Sequence, residues 1–168
     1  MLTRMRTHQA GFSLIELLVG IAILGILASV AIPSFRTWIL NLEIKNAAES
    51  ITSGLQKTRA EALKRNTNVE FTVSADGSWT IMITTSAQVL EQHSGSEGSK
   101  NVTVATTGGN TATYDSLGRT IAPSFTQVDI DSSVLSAADS NNLRVTVQLG
   151  GSVRMCDPNI AAPDPRAC

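Results

Sequence analysis

The chain contains few of the residues on which catalysis and metal binding usually depend. It has two His and two Cys, too few for a four-ligand zinc site unless carboxylates join them. Its 13 basic and 14 acidic residues nearly cancel, so it lacks the positive charge typical of proteins that neutralise nucleic-acid phosphates. Aromatic residues are also scarce, with 4 Phe, 2 Trp and 1 Tyr. In 168 residues, enough for one domain or a small domain with an appendage, this composition argues against most catalytic and metal-binding functions.

The feature that the sequence does have is a long apolar run near its N-terminus. Between Leu14 and Ile32, Glu16 is the only charged residue and Ser29 the only other polar one. As a helix, this run spans about 28 Å, close to the roughly 30 Å hydrocarbon core of a bilayer. Arg4 and Arg6 precede it without an acidic residue, which favours a cytoplasmic N-terminus. The sequence therefore predicts a segment in the inner membrane, with the rest of the chain on its outer side.

Two kinds of processing fit this segment. It is either an ordinary secretory signal cut after Ser29-Val30-Ala31, or an anchor that the mature protein retains. Glu16 counts against the disposable signal, because it would lie inside the apolar region of that signal, where no rule of composition explains a carboxylate.

The residues before the run provide a more specific indication. Gly11-Phe12-Ser13-Leu14-Ile15-Glu16, behind a short basic leader, closely resembles the class III signal of type IV prepilins and pseudopilins. In that family a prepilin peptidase cuts after the Gly, here Gly11, and methylates the new N-terminal residue, here Phe12. The resemblance implies a leader at 1–11 and a retained transmembrane and polymerisation helix at 12–35, with Pro33 at the family's usual kink.

The resemblance also implies an assembly role for Glu16. A carboxylate deep in a membrane costs on the order of 2.5–3.5 kcal/mol on insertion scales and is usually paired. Cleavage before Phe12 creates a cationic amine that a neighbouring subunit can bring to Glu16. The alternative is that Glu16 lies shallow enough to reach the lipid headgroups. At Pro33 the missing amide hydrogen predicts a bend or a local break.

Residues 36–66 are predicted to form the amphipathic half of the same helix, running in all from about Ser13 to Arg65. Their apolar residues recur at helical spacing and form one stripe that we expect to pack on a globular head. This stripe consists of Ile44, Ala47, Ala48, Ile51, Leu55, Ala62 and Leu63.

Residues 67–168 are predicted to form a small β-rich head. Alternation over 69–73 and 79–83, separated by Asp76-Gly77, predicts a hairpin. Weaker strands are predicted at 89–92, 102–105, 111–114, 125–130, 143–149 and 152–156, with loops at 94–99 and 132–142. The fold class is therefore α+β, a long N-terminal helix packed on an antiparallel β-rich head.

Two segments of the head extend the resemblance. The segment from Tyr114 through Gly118 to Arg119, and the one around Gly151-Ser152-Val153-Arg154, look like the glycine-centred turns of GspH/FimT-type minor pilins and pseudopilins. The final residues, from Arg154 to Cys168, also resemble the C-terminus of minor pilins in that group.

Cys156 and Cys168 are the only cysteines, and both follow the membrane segment. In an oxidising compartment we expect them to form a disulfide that closes a stiff, proline-containing tail clip. Two free thiols are the alternative.

The sequence offers little support for an enzyme or a metal site. His93 is expected in a Ser/Gly-rich loop without apolar surroundings, and the Gly95–Gly98 stretch lacks the nucleophile-elbow spacing. Asp129 and Asp131 share a strand face and could hold a cation, but the spaced ligands of an EF-hand are absent. We predict no enzymatic activity, no cofactor and no metal.

Four arginines of the head raise the question of DNA. Some FimT-type proteins are linked to DNA uptake through a Gly-Arg-x-Arg pattern, of which Gly151-Ser152-Val153-Arg154 lacks one Arg. From Val69 onward the head has 5 basic and 10 acidic residues, a local charge of −5. Phosphate binding requires the arginines to converge; the alternative is scattered solubilising charges. These arginines are Arg119, Arg144, Arg154 and Arg166.

The resemblance implies a minor pilin of a type IV pilus, held in the inner membrane by one span and then moved into the filament. Its implied partners are the prepilin peptidase and other major and minor pilins or pseudopilins. The alternatives are the H-type pseudopilin of a type II secretion system, with the same architecture, and a DNA-binding pilin for DNA uptake.

Overall fold

The computed structural model describes residues 12–121 and 124–168. They fall into two compact units, one ending at Arg36 and the other running from Thr37 to Cys168. Gly11 and the rest of the predicted leader lie outside the described residues.

A single helix, α1, runs from Leu14 to Arg65 and contributes to both units. It continues through Pro33 without interruption, so the predicted local break is not found there. The next residue after the helix, Asn66, has a φ of 50° and provides the left-handed conformation that commonly ends a helix.

After α1, the described residues of the head form strands in two antiparallel sheets. The first sheet has the order β3-β2-β1-β5-β6 and the second the order β4-β7-β8-β9. The strands are β1 (Val69–Val73), β2 (Trp79–Ile83), β3 (Gln88–His93), β4 (Val102–Thr107), β5 (Thr111–Tyr114), β6 (Thr120–Ile121), β7 (Gln127–Ser132), β8 (Leu143–Val147) and β9 (Val153–Cys156).

The amphipathic part of α1 packs on both sheets of the head around one hydrophobic core. Six of the seven predicted stripe residues are at most 2 % exposed, which confirms the predicted packing. Leu63 is the exception, because it is 50 % exposed. The helix lies close to the first sheet at Gly54, where an added Cβ would lie 2.6 Å from Cε2 of Phe71.

Aromatic side chains of the head cluster beneath the helix. Phe71 lies 5.6 Å from Trp79 and 6.3 Å from Phe125, measured between ring centroids. Trp79 also donates its indole N–H to the hydroxyl of Ser50 on α1, 2.9 Å away. This bond satisfies the polar edge of a ring that is otherwise buried.

The predicted hairpin is formed by β1 and β2, with Gly77 at a φ of 80° in the turn between them. Three predictions elsewhere were wrong in detail. The segment predicted as 125–130 begins at Gln127, with Phe125 buried but outside the strand, and β6 was not predicted at all. His93 is the last residue of β3 and stacks on Trp79, 5.4 Å away, rather than lying in an open loop.

Candidate functional site

The described residues of the N-terminal unit present an exposed apolar helix surface. Large apolar side chains between Leu14 and Phe35 are 50–78 % exposed. By length and composition, α1 is long and apolar enough to cross a membrane, with a mean hydropathy of 2.6 in its most apolar window. This surface requires lipid or other helices around it.

Glu16 and Ser13 form a capping box at the start of α1. One carboxylate oxygen of Glu16 accepts hydrogen bonds from the backbone N–H and the hydroxyl of Ser13, both at 2.9 Å. The backbone N–H of Glu16 in turn reaches the Ser13 hydroxyl oxygen at 3.3 Å. The second carboxylate oxygen has no hydrogen-bond partner in the described chain and stays available to a cation. The Ser-x-x-Glu spacing is the sequence signal that indicates this arrangement.

The two glycine-centred turns predicted in the head meet each other in the structure. Gly118 and Gly151 have φ values of 72° and 78°, which favour glycine, and the Gly118 carbonyl oxygen lies 2.0 Å from where a Cβ on Gly151 would be. Thr120 bridges the turns by donating its hydroxyl to the carbonyls of Gln148 and Leu149, at 3.1 and 3.2 Å. The paired turns thereby link the first sheet to the second.

Asp115 stabilises the first of these turns. Its carboxylate accepts hydrogen bonds from the backbone N–H groups of Arg119 and Leu117, at 2.8 and 2.9 Å. The Arg119 guanidinium also reaches it, at 2.9 Å. These bonds, the Arg119 backbone N–H first among them, lower the pKa of Asp115 from its usual range.

The predicted disulfide between Cys156 and Cys168 is present, with 5.1 Å between the two Cα atoms. The tail that it closes is held a second time by Arg154. This guanidinium donates to the carbonyls of Pro165 and Ala167, at 3.0 and 2.8 Å. Arg154 therefore fastens the tail, a role that its sequence position does not indicate.

The other three candidate arginines are paired with carboxylates of their own head. Arg119 pairs with Asp115, and Arg144 pairs with Asp129 at 2.6 Å. The third, Arg166, pairs with Asp164 at 3.0 Å and lowers the pKa of that carboxyl. Each guanidinium thus already has acceptors within the chain.

The two carboxylates that could hold a cation by their strand positions also have partners within the head. Asp129 also accepts a bond from Gln127 at 2.6 Å, and Asp131 accepts bonds from Ser132 and Ser140. No group of three or more potential metal ligands occurs among residues 12–121 and 124–168.

The chain matches known protein families over both of its regions. Residues 47–151 match the profile described as type II transport protein GspH, and residues 6–32 match the prokaryotic N-terminal methylation motif. The type IV major fimbrial protein FimA of Dichelobacter nodosus is 38% identical over 60 residues, 36% of this chain and 37% of FimA. A fimbrial protein of Pseudomonas aeruginosa is 39% identical over 54 residues, 32% of this chain and 34% of that protein. The matched segment spans about a third of the length of these relatives.

Two solved structures share the fold. The type IV minor pilin FimU of Pseudomonas aeruginosa aligns with a TM-score of 0.55 and 16% identity, over 72% of this chain and 93% of FimU. The minor pseudopilin EpsH of the type 2 secretion system of Vibrio cholerae aligns with a TM-score of 0.51 and 16% identity, over 70% of this chain and 99% of EpsH. Since the GspH profile covers more than half of the residues, this chain belongs to the GspH family of pilins and pseudopilins.

Proposed function

We propose that this protein is a minor pilin of a type IV pilus. The prepilin peptidase cuts between Gly11 and Phe12 and methylates Phe12. The subunit is then anchored in the inner membrane with its head in the periplasm, and enters the filament through its apolar helix. There it contributes to assembly or connects the tip to the shaft, without catalytic activity.

The contrast between the two units is the observation that carries this proposal. The head has a closed core with its own disulfide, whereas the helix from Leu14 to Phe35 is apolar on all sides and exposed. Such a helix is suited to exchanging lipid contacts for contacts with identical or related helices. The helix supplies the polymer contacts and the head supplies the outer surface.

Glu16 is proposed to act during that exchange. Its carboxylate is oriented by Ser13, which leaves one oxygen for the Phe12 amine of a neighbouring subunit. A charge pair formed in a low-dielectric helix bundle is sensitive to geometry, and the capping box fixes that geometry in advance. Pro33 is proposed to allow α1 to adapt at the same stage by removing one backbone donor.

Deleting the gene and restoring it distinguishes a role in a type IV pilus from a role in a type II secretion system. We expect the deletion strain to lose surface pili, as counted by electron microscopy and by sheared-fraction immunoblots, and the wild-type gene to restore them. Normal pili with retention of secreted enzymes in the periplasm would instead assign the protein to a type II secretion system.

DNA uptake remains the alternative from another functional class. The arginines of the head give it little support, because three of their guanidinium groups are already neutralised by carboxylates. A mobility-shift titration of the purified protein with duplex DNA, repeated at several salt concentrations, decides the matter. Binding that weakens steeply with salt would establish a DNA-binding role.

A further inference from the structure

We propose that a pocket around Arg59, on the face of the head where the two glycine-centred turns meet, binds an acidic side chain of a neighbouring filament subunit. This inference rests on the proposed filament function and adds a specific head-to-head contact to it. The pocket has a volume of about 390 Å³. Its polar lining comes from Gln56, Arg59 and Ser152, and its apolar lining from Ala60, Leu63 and Val153.

Both turns lie against Arg59, and Gly151 of the second turn lines the pocket. A Cβ on Gly118 would lie 3.0 Å from Nε of Arg59, and one on Gly151 would lie 3.3 Å from the same atom. The Arg59 side chain therefore lies directly against both glycines. With any larger residue at either turn, the arginine would have to move.

Arg59 differs from the other arginines of the head in having no acceptor. Its Nε is buried, and no hydrogen bond or ion pair to Arg59 occurs in the described parts of the chain. A buried N–H without an acceptor costs roughly 1–3 kcal/mol, and more when the group is charged. Guanidinium groups keep their charge in proteins, so deprotonation cannot remove this cost. A carboxylate in the pocket, bound through the guanidinium nitrogens that the turns do not cover, is the simplest compensation for this charge.

The chemistry of the lining identifies a carboxylate on a protein rather than a small free anion. A guanidinium binds carboxylates through paired hydrogen bonds, and the Gln56 amide adds a neutral donor. Apolar side chains of the lining, among them Leu63 at 50 % exposure, offer contact to a flanking apolar residue. An arginine ringed by apolar contacts is typical of the energetic centre of a protein interface.

Charge complementarity points to a neighbouring subunit. The head has twice as many acidic as basic residues from Val69 onward, so a second copy of this head, or a neighbour of similar charge, presents many carboxylates. Arg59 offers the opposite charge at one defined place. The pair would fix the rotation of one head against the next, while the apolar helices supply most of the attraction.

Photo-crosslinking in filaments tests the proposal with the full chain. A photoreactive amino acid at position 152 lines the pocket, and mass spectrometry identifies the peptide that it captures after irradiation of sheared filaments. We expect a peptide of another pilin subunit with an Asp or Glu next to the crosslink. Arg59→Gln should lower the crosslink yield on the order of tenfold, as expected when one partner of a desolvated charge pair is removed.

Matched variants distinguish the proposed pair between Arg59 and the neighbour's carboxylate from general effects of charge and folding. Lys100→Gln removes one exposed cation of the head that has no partner among the described residues, and should leave the yield unchanged. Arg59→Met keeps the aliphatic packing over Gly118 and should lose crosslinking like the Gln variant. Arg59→Glu should also lose it, and a Lys at the captured acidic position of the neighbour should restore it, which a misfolded subunit cannot do.

Several outcomes overturn the proposal. Capture of lipid, capture of a peptide without an acidic residue, or an equal yield from Arg59→Gln would each show that the pocket does not bind a neighbour's carboxylate. If those results come from filaments that contain the subunit in normal amounts, the proposed pilin function stands without the pocket. Absence of the wild-type subunit from filaments overturns both.

Discussion

The two parts of α1 contain similar apolar residues and yet differ completely in burial. Ile44, Ile51 and Leu55 are 0 % exposed, whereas Ile15, Ile23 and Leu27 are 64, 53 and 62 % exposed. In the first group polar residues separate the apolar positions and leave one stripe for the core; in the second, apolar residues cover every side. The buried part thus stabilises its own head, and the exposed part is stable only in a membrane or among other helices.

The comparison is most strongly tested by the processing of the N-terminus. If the exposed helix is a retained assembly element, the mature protein begins at Phe12 and has lost 11 residues. Replacement of Gly11 by a bulky residue, as in Gly11→Leu, should abolish cleavage and filament incorporation altogether. Intact-mass measurement of membrane and filament fractions provides the check. A mature N-terminus at Ile32 would refute the retained helix, because the apolar part would then be a disposable signal.

Glu16 is the next test, since it is the one carboxylate in the exposed part. We expect Glu16→Ala to be cleaved and inserted in the membrane but strongly depleted from sheared filaments, with Glu16→Asp intermediate. Removing a costly carboxylate should otherwise favour insertion, so depletion identifies a contact made during assembly.

Ser13→Ala is the matched control for Glu16. It removes the capping box at a cost of about 1 kcal/mol and retains the charge. If Glu16 serves only as a helix cap, the alanine variants at 13 and 16 will be depleted equally. A much smaller depletion for Ser13→Ala is the result expected from pairing with the Phe12 amine of a neighbour.

The sequence was sufficient to predict features that depend on local pattern. The helix bounds, the hairpin at Asp76-Gly77 and the buried stripe follow from periodicity and turn chemistry, which act over a few residues. Features created by distant contacts were missed. Glu43 accepts hydrogen bonds from Asn101 at 2.8 and 3.2 Å, and nothing near either residue indicates that the two meet.

The candidate sites show the same distinction between features of local pattern and features created by distant contacts. The cysteine pair was predictable because the chain contains no other cysteine. The burial of the Arg59 Nε against Gly118 and Gly151 was not, because it requires three segments to meet. Arg154 looked like a possible phosphate ligand, and only the fold shows that its acceptors are carbonyls of the tail.

Among changes in the head, removal of the disulfide that closes the tail clip is expected to lower the free energy of unfolding most. Replacing Cys156 and Cys168 together by Ser should lower the free energy of unfolding by about 3 kcal/mol, as expected for a short loop in the unfolded chain. Chemical denaturation of a head fragment from about residue 39 onward measures this loss, and the fragment itself is expected to be a soluble monomer. Arg154→Gln should add a smaller loss. A fragment that aggregates would contradict a head that is stable by itself.

Gly54 gives a sharper test of the buried part of the helix. Gly54→Ala should lower the free energy of unfolding by roughly 1–2 kcal/mol, because overpacking against Phe71 outweighs the better helix propensity of Ala. Gly20→Ala and Gly25→Ala are the controls in the exposed part, where no described atom beyond the adjacent helix backbone lies within 4 Å of an added Cβ. In the full-length protein they should leave the unfolding of the head unchanged. Stabilisation by Gly54→Ala would show that the helix lies farther from the sheet than described.

Replacing Tyr114 by Phe has the smallest expected effect on the free energy of unfolding at neutral pH. At alkaline pH the expected effect is a distinct one. Its side chain is fully buried and its hydroxyl has no hydrogen-bond partner among residues 12–121 and 124–168. Burial raises the pKa of Tyr114 to about 12, against a smaller opposing effect of Arg59. Near neutral pH the hydroxyl is protonated in both states, so Tyr114→Phe should change the free energy of unfolding by less than about 1 kcal/mol.

The alkaline behaviour follows from the sign of this shift. In the unfolded chain Tyr114 ionises near its ordinary pKa of 10, whereas the folded head resists ionisation up to about 12. Between these values the folded state holds more protons than the unfolded state, so the head loses stability as the pH rises. The Tyr114→Phe variant lacks this proton and should therefore lose less stability than the wild type above pH 10. Denaturant melts of the two heads, compared at neutral pH and in this range, measure the difference. Parallel losses in both proteins would mean that the Tyr114 hydroxyl ionises as easily in the folded head as in water, and that the core beneath α1 is open to solvent there.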